Sequence, residues 1–127
     1  RRLPKAAKPT RHAVAFWLET GAGEVFLQRR PERGMLGGMM EFPSTEWREA
    51  PWSLAPAKKL APAKTRWVAL PGEVTHSFTH FDIRFTVLIG RCDRPSGEGV
   101  WRVVDDFKDL ALPTVMKKIA HHALAQR

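Results

Sequence analysis

A chain of 127 residues with 43% hydrophobic content suits one compact domain with its own core, and no apolar run approaches the ~20 residues that a membrane-crossing helix needs. Lys and Arg number 21 against 13 Asp and Glu, and the resulting net charge of +8 points to a polyanion partner, because basic side chains exchange condensed counterions for phosphate contacts. The lone Cys92 excludes an intrachain disulfide and a cysteine-built zinc site, and it fits a reducing compartment.

Residues 1–11 carry Arg1, Arg2, Lys5, Lys8 and Arg11 with Pro4 and Pro9 and no apolar signal core, so they read as a linker. The chain opens without Met, and the expectation is a piece of a larger protein whose other domain precedes Arg1. The domain proper is then expected over 12–127. His12 to Glu19 is apolar at nearly every position, as in a central strand covered on both faces. Gly21-Ala22-Gly23 turns the chain, and Glu24 to Arg30 follows as the second strand of a hairpin that Pro31 stops.

Pro31 to Pro43 holds three glycines around Met35, Leu36, Met39 and Met40, which makes a specified loop too apolar to be a free linker. Leu36 and Phe42 are expected in the core. Ser44 is expected to cap a short helix through Glu49 that Pro51 ends. The imperfect repeat Leu54-Ala-Pro-Ala-Lys58 and Leu60-Ala-Pro-Ala-Lys64 denies a long helix and predicts an exposed basic connector, followed by a short strand at Trp67 to Leu70.

Thr75-His76-Ser77-Phe78-Thr79-His80-Phe81 then runs straight into Asp82 to Ile89, where Phe81, Ile83, Phe85, Val87 and Ile89 alternate with polar residues in the period of a half-buried strand. Two histidines, three hydroxyls and an aromatic ring at its entrance suit contact with a nucleobase. The plainer alternative is a polar strand end with one core Phe. Arg91 to Gly99 reads as a loop, Val100 to Val104 as a strand, and Asp105 or Asp106 as the cap of a helical turn through Leu110. The last element is a helix opened by Pro113, with Met116, Ile119, Ala120 and Ala123 as its buried stripe and Lys117, Lys118, His121 and Arg127 off it. Trp17, Trp67 and Trp101 are expected in the core. The order of elements predicts an α+β domain with a mixed or antiparallel sheet flanked by helices.

Three stretches in this order, Arg30 to Pro43, His76-Ser-Phe-Thr-His-Phe81 and Leu112-Pro-Thr-Val-Met-Lys-Lys118, resemble the signatures of the C-terminal domain of MutY-type adenine DNA glycosylases. The resemblance spans most of the chain and implies a Nudix-like (MutT-like) fold that performs no hydrolysis. It implies recognition of 8-oxoguanine opposite a mispaired adenine in duplex DNA by His76, Ser77, Phe78, Thr79 and His80. Arg29, Arg30, Arg33, Lys58, Lys59, Lys64 and Arg84 are the candidate phosphate contacts. It also implies a separate N-terminal glycosylase domain that carries the iron–sulfur cluster and excises the adenine, so no catalytic residue, metal or cofactor is expected in this chain. A monomer is expected, in the cytoplasm or nucleoid of a bacterium or the nucleus or mitochondria of a eukaryote, away from any membrane. Thr79 stands where the family usually has serine, which keeps the hydroxyl and adds a methyl group.

A true Nudix hydrolase of nucleoside diphosphate derivatives is the rival from another class, because it shares the Gly-Gly-x-x-Glu-Phe-Pro stretch. Its metal box needs clustered glutamates on a helix, whereas Arg48-Glu49 is followed here by Ala50-Pro51-Trp52-Ser53. Glu41, Glu46 and Glu49 read as solvated surface carboxylates, and the adjacent His121 and His122 lack metal-ligand spacing. A protein-interaction module using the Met-rich loop or the connector is the third reading.

Overall fold

The computed structural model describes residues 8–93 and 99–127. Among these, seven strands form a mixed sheet: β1 Thr10–Glu19, β2 Glu24–Arg29, β3 Met40–Glu41, β4 Val68–Ala69, β5 Val74–Ser77, β6 Asp82–Arg91 and β7 Val100–Val103. Helices α1 Leu54–Lys58 and α2 Thr114–Gln126 and the 3₁₀ segment Val104–Asp109 complete the expected α+β architecture. The sheet order is β3-β2-β1-β6-β4, with β5 also on β6 and β7 also on β2. β1 and β6 run parallel from Thr10 opposite Asp82 to Glu19 opposite Arg91, and the other ladders are antiparallel.

β1 is the central strand that its apolar run predicts. Ala13, Ala15 and Trp17 face one core with Phe42, Phe85 and the α2 stripe of Val115, Met116, Ile119, Ala120 and Ala123. Val14, Phe16 and Leu18 face a second core with Ala57, Trp67, Leu88 and Trp101. The sheet is therefore a middle layer, with α2 on one side and α1 and its connector on the other. Small residues make the second contact possible. Ala57 is fully buried and Ala61 and Ala63 pack against the same cluster, while Lys58, Lys59 and Lys64 remain exposed. Gly90 lets this layer lie close, since a Cβ there would come within 2.8 Å of the Trp67 ring.

Several expectations change in the folded chain. The segment read as a Ser44-capped helix is extended. Thr45 N–H donates to the Val14 carbonyl, Phe16 N–H to that of Pro43, and His12 and Arg48 exchange both backbone bonds, so β1 satisfies the groups a helix would have satisfied internally. The β1–β2 hairpin is correspondingly paired only at its closed end, Glu19 opposite Val25, because residues 44–48 take the place beside β1 further on. Residues 75–89 are two strands, β5 and β6, joined by a turn at Phe78 to Phe81. Alternation is a one-face signal, and it breaks where β6 becomes covered on both faces at Val87 and Leu88. The segment read as linker is structured at its end, since Thr10 and Arg11 belong to β1 and the Pro9 carbonyl accepts the Asp82 N–H at 3.0 Å. The 3₁₀ segment starts after Val103, and no side chain caps it, so Asp105 and Asp106 lie in its first turn instead. Residues 94–98 of the loop after Arg91 lie outside the described residues.

Trp17, Phe42 and Phe107 form one contiguous aromatic group, with ring centroids 5.1 Å apart for Trp17 and Phe42 and 5.9 Å for Phe42 and Phe107. Phe42 has no exposed surface. Phe42→Ala should cost about 3–5 kcal/mol of stability in urea unfolding. Leu60→Ala, at a side chain 58% exposed, should stay within about 0.5 kcal/mol of the parent.

Candidate functional site

The β5–β6 hairpin gathers the chemistry. Its last strand pair is Ser77 opposite Asp82, and the turn beyond is closed by Phe78 N–H donating to the Phe81 carbonyl at 2.9 Å. Phe81 is buried, and half-buried Phe78 packs with its ring centroid 5.1 Å from Phe81, 4.8 Å from His76 and 6.0 Å from Trp47, nearly parallel to the last. The Phe78 ring is thus held in a packed aromatic group, and each such pair contributes roughly 0.5–1.5 kcal/mol beyond area burial. Thr79 and His80 stand exposed at the tip, and among the described residues neither side chain has a hydrogen-bond partner. This is where the predicted site residues come together.

The base of the turn is clamped by a residue that composition alone assigned to a linker. Lys8 Nζ donates to Ser77 Oγ at 2.5 Å and to the Phe78 carbonyl at 3.0 Å, and it lies 3.2 Å from Asp82 Oδ1. Ser77 Oγ–H donates to the same Asp82 carboxylate at 2.7 Å. The Ser77 hydroxyl and then the Lys8 ammonium hold the Asp82 carboxyl below its ordinary pKa of 3.8. Beside this network runs an open groove of about 610 Å³, lined by Thr10, Thr75, His76, Ser77, Asp82, Ile83, Arg84 and Lys118. Lys118 Nζ reaches from α2 to the Thr75 carbonyl at 3.3 Å.

The candidate phosphate contacts divide. Arg30 is committed inward: it donates to Glu41 Oε1 at 2.7 Å and to the Met35 carbonyl at 3.0 Å, and its guanidinium lies 4.9 Å from the Trp47 ring centroid. Arg29 donates to the Gly38 carbonyl at 2.5 Å, and Arg84 sits 4.0 Å from Glu73. Arg33, Lys58, Lys59 and Lys64 are exposed, and none has a hydrogen-bond or ion-pair partner among the described residues. The three connector lysines border a second open groove on the α1 side, far along the chain from the hairpin. Sequence reasoning missed Lys8, Arg11, Trp47 and Asp82. Arg11 lies with its guanidinium 4.1 Å from the Phe81 ring centroid, a contact that no local pattern announces.

The carboxylates do not assemble into an acid–base set. Glu41 corrects the surface reading: it is 7% exposed, ion-paired to Arg30 and bonded by Gln28 Nε2 at 2.9 Å. Glu46 is exposed on the extended segment and Glu49 in the bend after it, and the single-turn α1 has no acidic residue in its first turn. Among the described residues no three His, Cys, Asp or Glu side chains form a group that could hold a metal ion, and no helix is long and apolar enough to cross a membrane.

The family profile described as NUDIX domain matches residues 14–122. Human adenine DNA glycosylase is 32% identical over 111 residues, a match that takes in 76% of this chain and 20% of that protein. The chain therefore spans about a fifth of the length of the curated glycosylases it matches. Among solved structures, the C-terminal domain of mouse MUTYH, in its complex with human PCNA, has a TM-score of 0.67 at 23% identity over 91% of this chain and 88% of that one. The MutT protein of Methanosarcina mazei Go1 has a TM-score of 0.71 at 17% identity, covering 95% and 98%. At those identities the two structures establish the shared fold, a mixed sheet flanked by helices.

Partial burial, and then the Lys118 ammonium, lower the His76 pKa from its ordinary 6.5. Its contribution to stability is fully present above about pH 6.5; below that the unfolded chain takes a proton that the folded chain resists, and stability falls as pH drops through the folded value. The urea midpoint should therefore fall between about pH 7.5 and pH 5.5 by less in His76→Gln than in the parent chain. Equal losses would assign the acid sensitivity to other groups.

Proposed function

Because the chain belongs to the Nudix domain family, we propose that it is the lesion-recognition domain of a MutY-type adenine DNA glycosylase, and that its β5–β6 turn reads 8-oxoguanine opposite adenine in duplex DNA. One observation carries this reading. The hairpin has a base fixed by aromatic packing and by Lys8, and a tip whose Thr79 and His80 lack protein partners, so polar groups are held out on a rigid mount. Buried polar groups without partners are costly, but exposed ones on a fixed turn are free to meet a base edge. The similarity to the human glycosylase supports the assignment of substrate class.

The family also contains nucleotide hydrolases, which hold divalent metal with glutamates on a helix. Against that reading here, Glu41 is engaged by Arg30 and Gln28, Glu46 lies on a strand-like segment bonded to β1, and Glu49 lies in the bend that follows it. Adenine excision in this proposal belongs to a separate N-terminal domain. An iron–sulfur cluster held by about four thiolates does not fit a chain whose only cysteine is Cys92, so the cluster also lies outside it.

8-Oxoguanine differs from guanine at the groove edge by an added acceptor, O8, and by N7, which becomes an N–H donor. The binding domain contributes orientation and discrimination, and its exposed cations contribute sequence-independent attraction. In binding measurements with duplexes that differ only at one base, Thr79→Ala combined with His80→Ala should lower the preference for 8-oxoguanine:adenine over guanine:adenine by roughly tenfold. An unchanged preference in a folded variant would move the reader elsewhere.

Exposed Lys58 and Lys59 are proposed phosphate contacts. Replacing both with Ala should flatten the slope of log affinity against log salt by about 0.9 for each phosphate that is no longer neutralised. A slope identical to the parent's would make the connector a solvated spacer.

A further inference from the structure

We propose that the groove beside β5 holds a backbone phosphate of the duplex, with Lys118 of α2 as its fixed cation and His76 as a second cation that forms when the phosphate arrives. The assignment rests on the reading that this chain binds duplex DNA, and it says where the sugar-phosphate strand runs past the hairpin.

The groove of about 610 Å³ lies along an outer edge of the sheet, where β5 pairs with β6 alone. Lys118 Nζ donates to the Thr75 carbonyl at 3.3 Å, so that carbonyl points away from β6, and in an antiparallel strand the N–H of the same residue points with it. One backbone donor and the two remaining ammonium protons therefore share one opening. Lys118 is exposed and has no carboxylate partner among the described residues. The other charges of the groove are already matched, Asp82 by Lys8 at 3.2 Å and Arg84 by Glu73 at 4.0 Å. An unmatched cation beside a backbone N–H is an arrangement that takes phosphate oxygens.

His76 stands next to Lys118 and is mostly neutral at pH 7. Partial burial and then the Lys118 ammonium hold its pKa below 6.5, and its Nδ1 is buried with no hydrogen-bond partner among the described residues. The charged groups that share the groove with it are Lys118 from α2, Asp82 and Arg84 from β6, and Lys8 on Asp82; of these it is Lys118 that repels its proton. A phosphodiester on Lys118 cancels that repulsion and adds an anion, which raises the His76 pKa in the complex. Because the bound value is the higher one, binding takes up a proton: affinity rises as pH falls through the bound value and levels off below the free one.

Binding of the chain to guanine:adenine and 8-oxoguanine:adenine duplexes is measured across a salt series, and His76 is followed by NMR, its resonance assigned with His76→Gln. Lys118→Met should lower the slope of log affinity against log salt by about 0.9 on both duplexes and leave the ratio between them unchanged. Lys118→Arg should restore the slope. Saturating the parent chain with the guanine:adenine duplex should move the His76 titration upward, and Lys118→Met should remove most of that movement, a coupling that a merely structural role for Lys118 does not produce. A parental slope in Lys118→Met, an equal loss of slope in Lys117→Met, or a His76 titration indifferent to the duplex overturns the assignment. Inorganic phosphate at matched ionic strength should leave His76 unmoved, and a shift with it alone makes the groove a free-anion site and overturns the assignment as well. A parent chain with no preference for 8-oxoguanine overturns the base-reading role of the hairpin by itself, since neither the slope nor the His76 shift depends on which base is read. A chain that binds neither duplex overturns both.

Discussion

The domain depends on the ten-residue parallel ladder between β1 and β6. A parallel pair has no short connection, so it forms only when a long intervening chain covers both faces of the sheet. Here that chain is everything from Thr20 to Phe81, and the register it must reproduce runs from Thr10 opposite Asp82 to Glu19 opposite Arg91. Val14, Phe16 and Leu18 on one face and Ala13, Ala15 and Trp17 on the other provide the driving force, since each large buried side chain among them contributes roughly 1.5–3 kcal/mol. The far end of the ladder is fastened as well. Glu19 accepts from Trp17 Nε1 at 2.8 Å and pairs with Arg127, which brings the end of α2 to the end of β1.

The same register delivers the site. Pairing Thr10 with Asp82 brings Lys8 level with the β5–β6 turn, where its three donors find Ser77, the Phe78 carbonyl and Asp82. A solvent-exposed ion pair alone contributes little, in the range of about 0–1 kcal/mol. The clamp matters instead for geometry: it fixes the direction of one hydroxyl proton and one carbonyl at the root of a turn whose rings are already packed on Trp47 and Phe81. Any movement of the segment that enters β1 is thereby felt by the turn, since Pro9 and Lys8 both bond to it.

Much of this was legible in the sequence because it is local. The apolar run of β1, the α2 stripe from Met116 to Ala123 and the crowding of hydroxyls and rings between Thr75 and Phe81 are patterns within one segment. The failures share a cause, which is competition from distant chain. Ser44 to Arg48 carries an adequate helix signal, but β1 offers backbone partners to it and wins. Glu41 looks like a surface carboxylate until Arg30, eleven positions earlier, is folded over it. Lys8 reads as linker because a charged residue between prolines has no period, and its role exists only once β1 lies beside β6. The break of the 75–89 strand at Phe78 carries no Gly or Pro, so the turn is set by the pairing on either side of it and not by its own residues.

The extended course of residues 44–48 also sets where the carboxylates of this stretch lie. A metal box must present several carboxylates from one helical face toward one point, and a strand sends alternate side chains to opposite faces. Bonded to β1, the segment leaves Glu46 exposed, with Glu49 exposed in the bend after it, and the chain recovers helix for the single turn of α1, whose residues are Leu, Ala, Pro, Ala and Lys. The remaining buried carboxylate of this stretch, Glu41, is neutralised by Arg30, whose guanidinium is in turn stacked on Trp47. That pairing joins the Met-rich loop to the ring group beneath Phe78. Glu41 is thereby a strut between the Met-rich loop and the rings, held by Arg30 and Gln28.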